Sequence, residues 1–128
     1  MATENLWGTL PDVSQLRTPV EILNEQATVL TGLTHGVLQG SVDARGGTDK
    51  LAVDLDIVVP ALGGYSFTIL TVTHGVRFYP ATVQYYPANV TYSASNDSQF
   101  VEILKGCLGS KEVREVIASL LLQAKQAS

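Results

Sequence analysis

The spacing of apolar residues changes twice along this chain, from a helical period to a period of two and back again. Thr18, Pro19 and Glu21 form a helix start, as N-cap, first helical residue and capping-box partner. A wide apolar stripe with spacings of three and four then runs to Leu33, which predicts an amphipathic helix. From residue 37 onwards apolar and polar residues alternate in short runs separated by turn residues, which is typical of β-strands.

Two more helices are predicted after the strands. Residues 95–98 offer several N-caps to an apolar stripe that Gly109 stops, and Ser110 caps a last helix. A short fifth strand is expected at Val90–Ala94. The order α-β-β-β-β-(β)-α-α predicts an α+β fold: an antiparallel meander sheet of four to five strands, with the N-terminal helix and the C-terminal helical pair packed on one face.

The first residues of the chain lack any periodicity. We expect an N-terminal arm over residues 1–17, followed by a single α+β domain over residues 18–126. The arm holds the only tryptophan, Trp7, and we expect it to lie across the domain and dock this side chain. Its other large apolar residues are Leu6, Leu10, Val13 and Leu16.

The charge of the chain narrows the classes of partner. The net charge is −4 with only eight Lys plus Arg, so a basic stripe that follows nucleic-acid phosphates is not expected. No apolar run approaches the roughly 20 residues of a membrane span. The N-terminus has no signal-peptide pattern, and the single cysteine excludes an intrachain disulfide, so we expect the cytoplasm.

Catalytic and metal-binding motifs are not found in the sequence. His35 and His74 belong to no metal-binding array, and the glycine-rich segment 106–111 joins two helices, unlike a phosphate-binding loop. Cys107 lies on an apolar helix, where a buried, inert thiol is expected. We therefore assign no catalytic residue, no metal site and no cofactor.

Hairpin registers place the strands beside one another. Gly46-Gly47 predicts a two-residue loop, because a four-residue loop would set Arg45 opposite Lys50. This register pairs Asp43 with Lys50. A five-residue loop after the second strand pairs Val59 with Tyr65.

A tight turn at His74-Gly75 is then expected to begin a fourth strand at residues 76–85, with Leu70 opposite Tyr79. Pro80 would put this strand at a sheet edge or at a bulge. These registers predict a candidate ligand or partner face on the sheet, formed by Gln39, Asp54, Asp56, Leu70, Arg77 and Tyr79.

Asp54 and Asp56 are two residues apart on one strand, so their Cα atoms are about 7 Å apart on this face. Two carboxylates at this range can act as acid and base, with Arg77 near enough to pair with one of them. The alternative is a solvated face that prevents edge-to-edge association. The expected presence of Leu70 and other apolar residues there predicts that something covers part of the face.

Three functions fit these observations. The first is a non-catalytic protein-interaction domain whose partner is itself, as a homodimer or larger assembly. The second is a small enzyme or ligand-binding cup that uses Asp54, Asp56, Arg77 and Tyr79. The third is an inhibitor or immunity-type accessory protein of a bacterial conflict system, whose acidic surface would suit a basic target.

Overall fold

A computed structural model describes residues 3–11 and 17–127, and it confirms the predicted α+β order. The five strands form one antiparallel sheet in the order β1-β2-β3-β4-β5, a simple meander. The elements are α1 (Pro19–Leu33), β1 (Gln39–Gly46), β2 (Leu51–Val59), a 3-10 turn (Pro60–Leu62), β3 (Tyr65–His74), β4 (Ala81–Tyr85), β5 (Val90–Ala94), α2 (Asp97–Leu108) and α3 (Lys111–Ala127).

Two helices, α1 and α3, begin at the predicted cap, and α2 begins at one of its four candidate caps. The Thr18 hydroxyl accepts a hydrogen bond from the Glu21 amide at 3.2 Å, and the Ser110 hydroxyl accepts one from the Val113 amide at 3.2 Å. Asn96 caps α2 through the amide of Gln99. These bonds satisfy amide groups that have no partner within the helix, and they fix where each helix starts.

The three helices lie on one face of the sheet, and the core fills the space between the two layers. The first helix, α1, packs on β1 and β2, while α2 packs against β5. We call the helix-covered side of the sheet the inner face and the opposite side the outer face. Among residues 3–11 and 17–127, no helix is long and apolar enough to cross a membrane. The buried inner-face residues are Val53, Leu55, Ile57, Val59, Leu70, Val72, Ala81, Val83, Tyr85 and Ala94.

The β1–β2 register differs from the prediction. The connection is a four-residue loop over residues 47–50, closed by a 2.8 Å hydrogen bond from the Gly47 amide to the Lys50 carbonyl. Asp43 lies opposite Asp54, and the predicted pairing of Asp43 with Lys50 is wrong. The negative charges of Asp43 and Asp54 are tolerated side by side because Arg45 forms an ion pair with Asp54. The faces of β1 and β2 are as predicted, because the shift is an even number of residues.

The β2–β3 pairing is confirmed near the loop and wrong further along. Val59 pairs with Tyr65 as predicted, but a bulge leaves Ile69 without a partner on β2. From this point Leu55 pairs with Leu70, so the second half of β3 presents its opposite side to the helices. Leu70 is consequently fully buried in the core and is not part of the outer face.

The predicted tight turn at His74-Gly75 is also wrong. Residues 75–80 form a loop before β4, which starts at Ala81 opposite His74. Pro80 precedes the strand and thus needs no ladder hydrogen bond, while β4 lies inside the sheet between β3 and β5. His74, predicted in the turn, is a buried strand residue whose ring lies 5.3 Å from that of Phe78.

The N-terminal arm does not dock its tryptophan on the domain. Trp7 is 86% exposed, so that prediction is wrong for the described part of the arm. The arm residues Val13 and Leu16 lie outside the described residues.

Candidate functional site

The outer face of the sheet is polar and rich in hydroxyl groups, contrary to the half-apolar face that the sequence predicts. Leu70 and Val72, both expected on this face, lie in the core because the bulge in β3 reverses its second half. Serine and threonine now occupy most outer positions of β3, β4 and β5: Ser66, Thr68, Thr71, Thr73, Thr82, Thr91 and Ser93. A face of this composition does not need an apolar cover.

Asp54 is the centre of a hydrogen-bonded network on this outer face. Arg45 donates to both of its carboxylate oxygens, at 2.6 and 3.2 Å, in a bidentate pair. The Thr71 hydroxyl donates to the same carboxylate at 2.7 Å and lies 2.8 Å from the Tyr86 hydroxyl. The network links side chains of β1, β2 and β3 to the turn after β4.

Asp56 lies on the same face, as predicted, between Ser41 of β1 and Thr68 of β3. Its Oδ1 atom is buried and has no hydrogen-bond partner in the described structure. A buried carboxylate oxygen without a donor is destabilising, which makes this atom the least satisfied polar group of the outer face. Beside it, a shallow hollow of about 270 Å³ is lined by Arg45, Asp54, Thr68, Thr71 and Tyr86.

The remaining predicted site residues are not brought together with the two aspartates. Gln39 does lie on the outer face, exposed on the edge strand β1. Arg77 is an exposed residue of the loop before β4, and the partner of Asp54 is Arg45 instead. The predicted pairing of Arg77 with a strand aspartate is therefore wrong for Asp54.

Tyr79 lies near the start of α1 and the first helix of the C-terminal pair. Its hydroxyl donates to the Arg17 carbonyl at 3.1 Å, and its ring meets the Phe100 ring edge-on at 6.2 Å. Burial raises the pKa of Tyr79 above its ordinary value of 10.0 to about 12, and the Asp97 carboxylate adds to the rise. The contacts give Tyr79 a structural role at the root of the N-terminal arm.

Cys107 is the one thiol of the chain, and it is a core residue. It is 2% exposed on the inner side of α2, and burial raises the pKa of its thiol. A nucleophilic cysteine needs a lowered pKa and access to solvent, and Cys107 has neither.

A second candidate site lies in the helix layer, where α1 and α3 leave a gap above the sheet. The gap is a cavity of about 160 Å³, which we call the apolar cavity. The side chains of Leu55 and Ile69 come from the sheet, and the exposed residues Val29 and Leu33 stand on α1. Its other lining residues are Gln26, Ala27, Leu30, Leu108, Val113 and Ile117.

A neighbouring hollow between α1 and α2, which we call the helix groove, has a volume of about 280 Å³. Gln26 and Leu108 line both the groove and the apolar cavity, so the two hollows are adjacent. The groove extends to Arg17, the residue at which the N-terminal arm joins the domain. Its other lining residues are Ile22, Val101, Leu104 and Lys105.

Sequence reasoning missed Arg45, Thr71 and Tyr86 as partners of Asp54. One signal for Thr71 was present, because Leu70-Thr71-Val72-Thr73 alternates in the opposite phase from the residues before it. The ion pair between Arg45 and Asp54 depends on the length of the β1–β2 loop, and the charge pairing considered in the sequence favoured a different loop length. The apolar cavity depends on the spacing of two helices and has no local sequence signal.

Comparison with known proteins gives no independent indication of function. No family model matches the chain, and neither the curated proteins nor the solved structures contain a significant match.

Proposed function

We propose that this chain is a non-catalytic protein-interaction domain that associates with itself. One observation carries the proposal: the three large apolar side chains of the described arm, Leu6, Trp7 and Leu10, are at least 75% exposed. A cluster of exposed apolar side chains next to polar surface is characteristic of association sites. Tryptophan in particular is enriched among the residues that dominate binding energy.

The arm is held in a turn that displays these side chains. The Trp7 amide donates to Asn5 Oδ1 at 3.0 Å, and Asn5 Nδ2 donates to the Gly8 carbonyl at 3.1 Å. Gly8 has a φ of 71°, which glycine adopts without strain. A turn that is ordered before association lowers the entropy lost on binding.

Two of the groups suited to chemistry, Asp54 and Cys107, are held in structural contacts, which also supports a non-catalytic role. Asp54 is bound by Arg45 and Thr71, and Cys107 is buried with a raised pKa. A free, buried thiol suits a reducing compartment, and we propose on this ground that the domain works in the cytoplasm.

Light scattering of the full chain over a range of concentrations tests this function. We expect the mass to rise from monomer towards dimer, and a variant with Leu6→Ser, Trp7→Ser and Leu10→Ser to remain monomeric. Val76→Ser is the matched control, because Val76 is 88% exposed in the loop before β4. A wild-type chain that stays monomeric at every concentration would contradict the proposal.

A second candidate function is a ligand-binding cup on the outer face, and the unpartnered Asp56 Oδ1 favours it. A bound molecule whose hydrogen-bond donor reached Asp56 would satisfy that oxygen, and a hollow lined by Arg45, Asp54 and Thr68 lies on the same face. Native mass spectrometry of the purified chain tests this reading. A small molecule that co-purifies with the wild type and is lost from the Asp54→Asn, Asp56→Asn variant supports the cup. An identical spectrum for both chains counts against it.

A further inference from the structure

We propose that the arm of one copy docks on the helix layer of a second copy, with Trp7 inserted into the apolar cavity. This inference rests on the proposed self-association and names the two surfaces that make it. The arm supplies Leu6, Trp7 and Leu10, and the cavity supplies an apolar space that its own chain leaves unfilled. Both surfaces are apolar, and each leaves apolar side chains in contact with water when the chain is alone.

The size of the cavity suits one aromatic side chain. An engineered, enclosed apolar cavity of about 150 Å³ binds benzene, which sets the scale for a single aromatic ring. The apolar cavity here measures about 160 Å³, and Trp7 is the only tryptophan of the sequence. Its lining is almost entirely aliphatic, and Gln26 is the single polar side chain among the lining residues. An indole ring entering this space would exchange exposed apolar surface for contacts with leucine, isoleucine and valine.

The rim of the cavity, like the arm, carries large apolar side chains that are exposed to solvent. Val29 is 48% exposed and Leu33 is 75% exposed, one helical turn apart on α1. Leu6 and Leu10 flank Trp7 in the arm, so they would lie near such a rim when the indole occupies the cavity. Burying both sets of side chains removes apolar surface from water on the two partners at once.

Exchange between two copies closes the assembly. Each copy has one arm and one cavity, so two copies related by a twofold axis satisfy each other and leave no arm free. In the structure Trp7 is 86% exposed and does not line the cavity of its own chain. The helix groove borders the cavity at Gln26 and Leu108 and adds apolar surface beside the docked indole.

The fluorescence of Trp7, measured together with the mass over a range of concentrations, tests this inference. We expect the emission to move to shorter wavelength as the mass rises, because the only indole leaves water. A rim variant with Val29→Glu and Leu33→Glu should weaken association by about 30-fold or more, as should Trp7→Ser. The control has Val76→Glu and Leu122→Glu, equal in added charge, at exposed positions outside the cavity lining. We expect the control to change association by less than about threefold.

The outcomes separate this inference from the function on which it rests. If the wild type associates while its emission stays that of exposed tryptophan, or if the rim variant associates as tightly as the control, the docking site is wrong and self-association stands. A monomer with exposed tryptophan at all concentrations overturns both. A monomer whose emission is already at short wavelength shows the arm on its own chain and overturns docking on a second copy.

Discussion

Gly40 of β1 packs directly against Ala27 of α1. A Cβ atom on Gly40 would lie 2.4 Å from the Cα atom of Ala27 and 2.5 Å from its carbonyl oxygen. The Gly40 amide also donates to the Thr31 hydroxyl of the same helix at 3.0 Å. This contact brings the helix backbone onto the edge strand and sets the height of α1 above the sheet.

Replacing Gly40 with alanine should therefore destabilise the domain. The added methyl group meets backbone atoms that cannot move aside, so we expect a loss of about 1–3 kcal/mol in the free energy of unfolding. Urea denaturation measures this loss. The control is Gly106→Ala, because Gly106 lies inside α2 with no heavy atom within 4 Å of the added Cβ. It should stabilise the chain by about 0.5–1 kcal/mol. Equal effects at the two positions would show that α1 does not sit on Gly40.

Thr71→Val tests the network around Asp54. The valine keeps the shape of threonine but removes the hydroxyl shared by Asp54 and Tyr86. We expect a loss of about 1 kcal/mol, because the Asp54 side chain is only 14% exposed and neither partner gains a new bond. Thr73→Val is the control at the next outer position of β3, opposite Ala52. A loss no larger than that of the control in thermal denaturation would count against the network.

The raised pKa of Tyr79 predicts a loss of stability in alkaline solution. Its pKa rises from 10.0 to about 12 on folding because burial disfavours the phenolate, so the unfolded chain loses its proton first. The resulting stabilisation is complete below pH 10 and is lost as the pH rises through about 12. The Tyr79→Phe variant lacks this term, so the difference in unfolding free energy between wild type and variant should shrink over that range. A difference independent of pH would refute the assignment.

Cys107 should resist a thiol reagent in the native protein. The side chain is 2% exposed and its pKa is raised by burial, so both access and thiolate content are low. We expect negligible labelling near pH 8 in buffer and complete labelling in concentrated urea, followed by mass spectrometry. Rapid labelling of the native chain would show that α2 opens, or that Cys107 has a chemical role.

Local signals predicted the helices and the general order of the strands. The caps at Thr18, Asn96 and Ser110 and the change in apolar period depend on neighbouring residues, which the sequence displays directly. Pairing of Val59 with Tyr65 followed from a short loop for the same reason. The other registers were wrong, because loop lengths, turns and bulges depend on contacts between elements.

The β1–β2 register shows this limit. Local pairing favoured a short loop at Gly46-Gly47, but the observed register places Gly40 opposite Ile57 and under Ala27 of α1. The bulge at Ile69 does have a signal in the sequence, because the adjacent apolar residues Ile69 and Leu70 interrupt the alternation of β3. That single residue moved Leu70 from the predicted face into the core, and it changed the outer face from half-apolar to polar.

A mixture of two variants tests the exchange of arms most directly. The Trp7→Ser chain keeps its cavity and contains no tryptophan, and the rim variant with Val29→Glu and Leu33→Glu keeps its arm. If arms are exchanged in this way, neither variant associates alone. The mixture restores one intact contact, between the arm of the rim variant and the cavity of the Trp7→Ser chain. All tryptophan emission comes from the rim variant, so titration with the Trp7→Ser chain should shift that emission to shorter wavelength and saturate. An emission spectrum that does not change at any ratio would contradict docking of Trp7 in the cavity of a second copy.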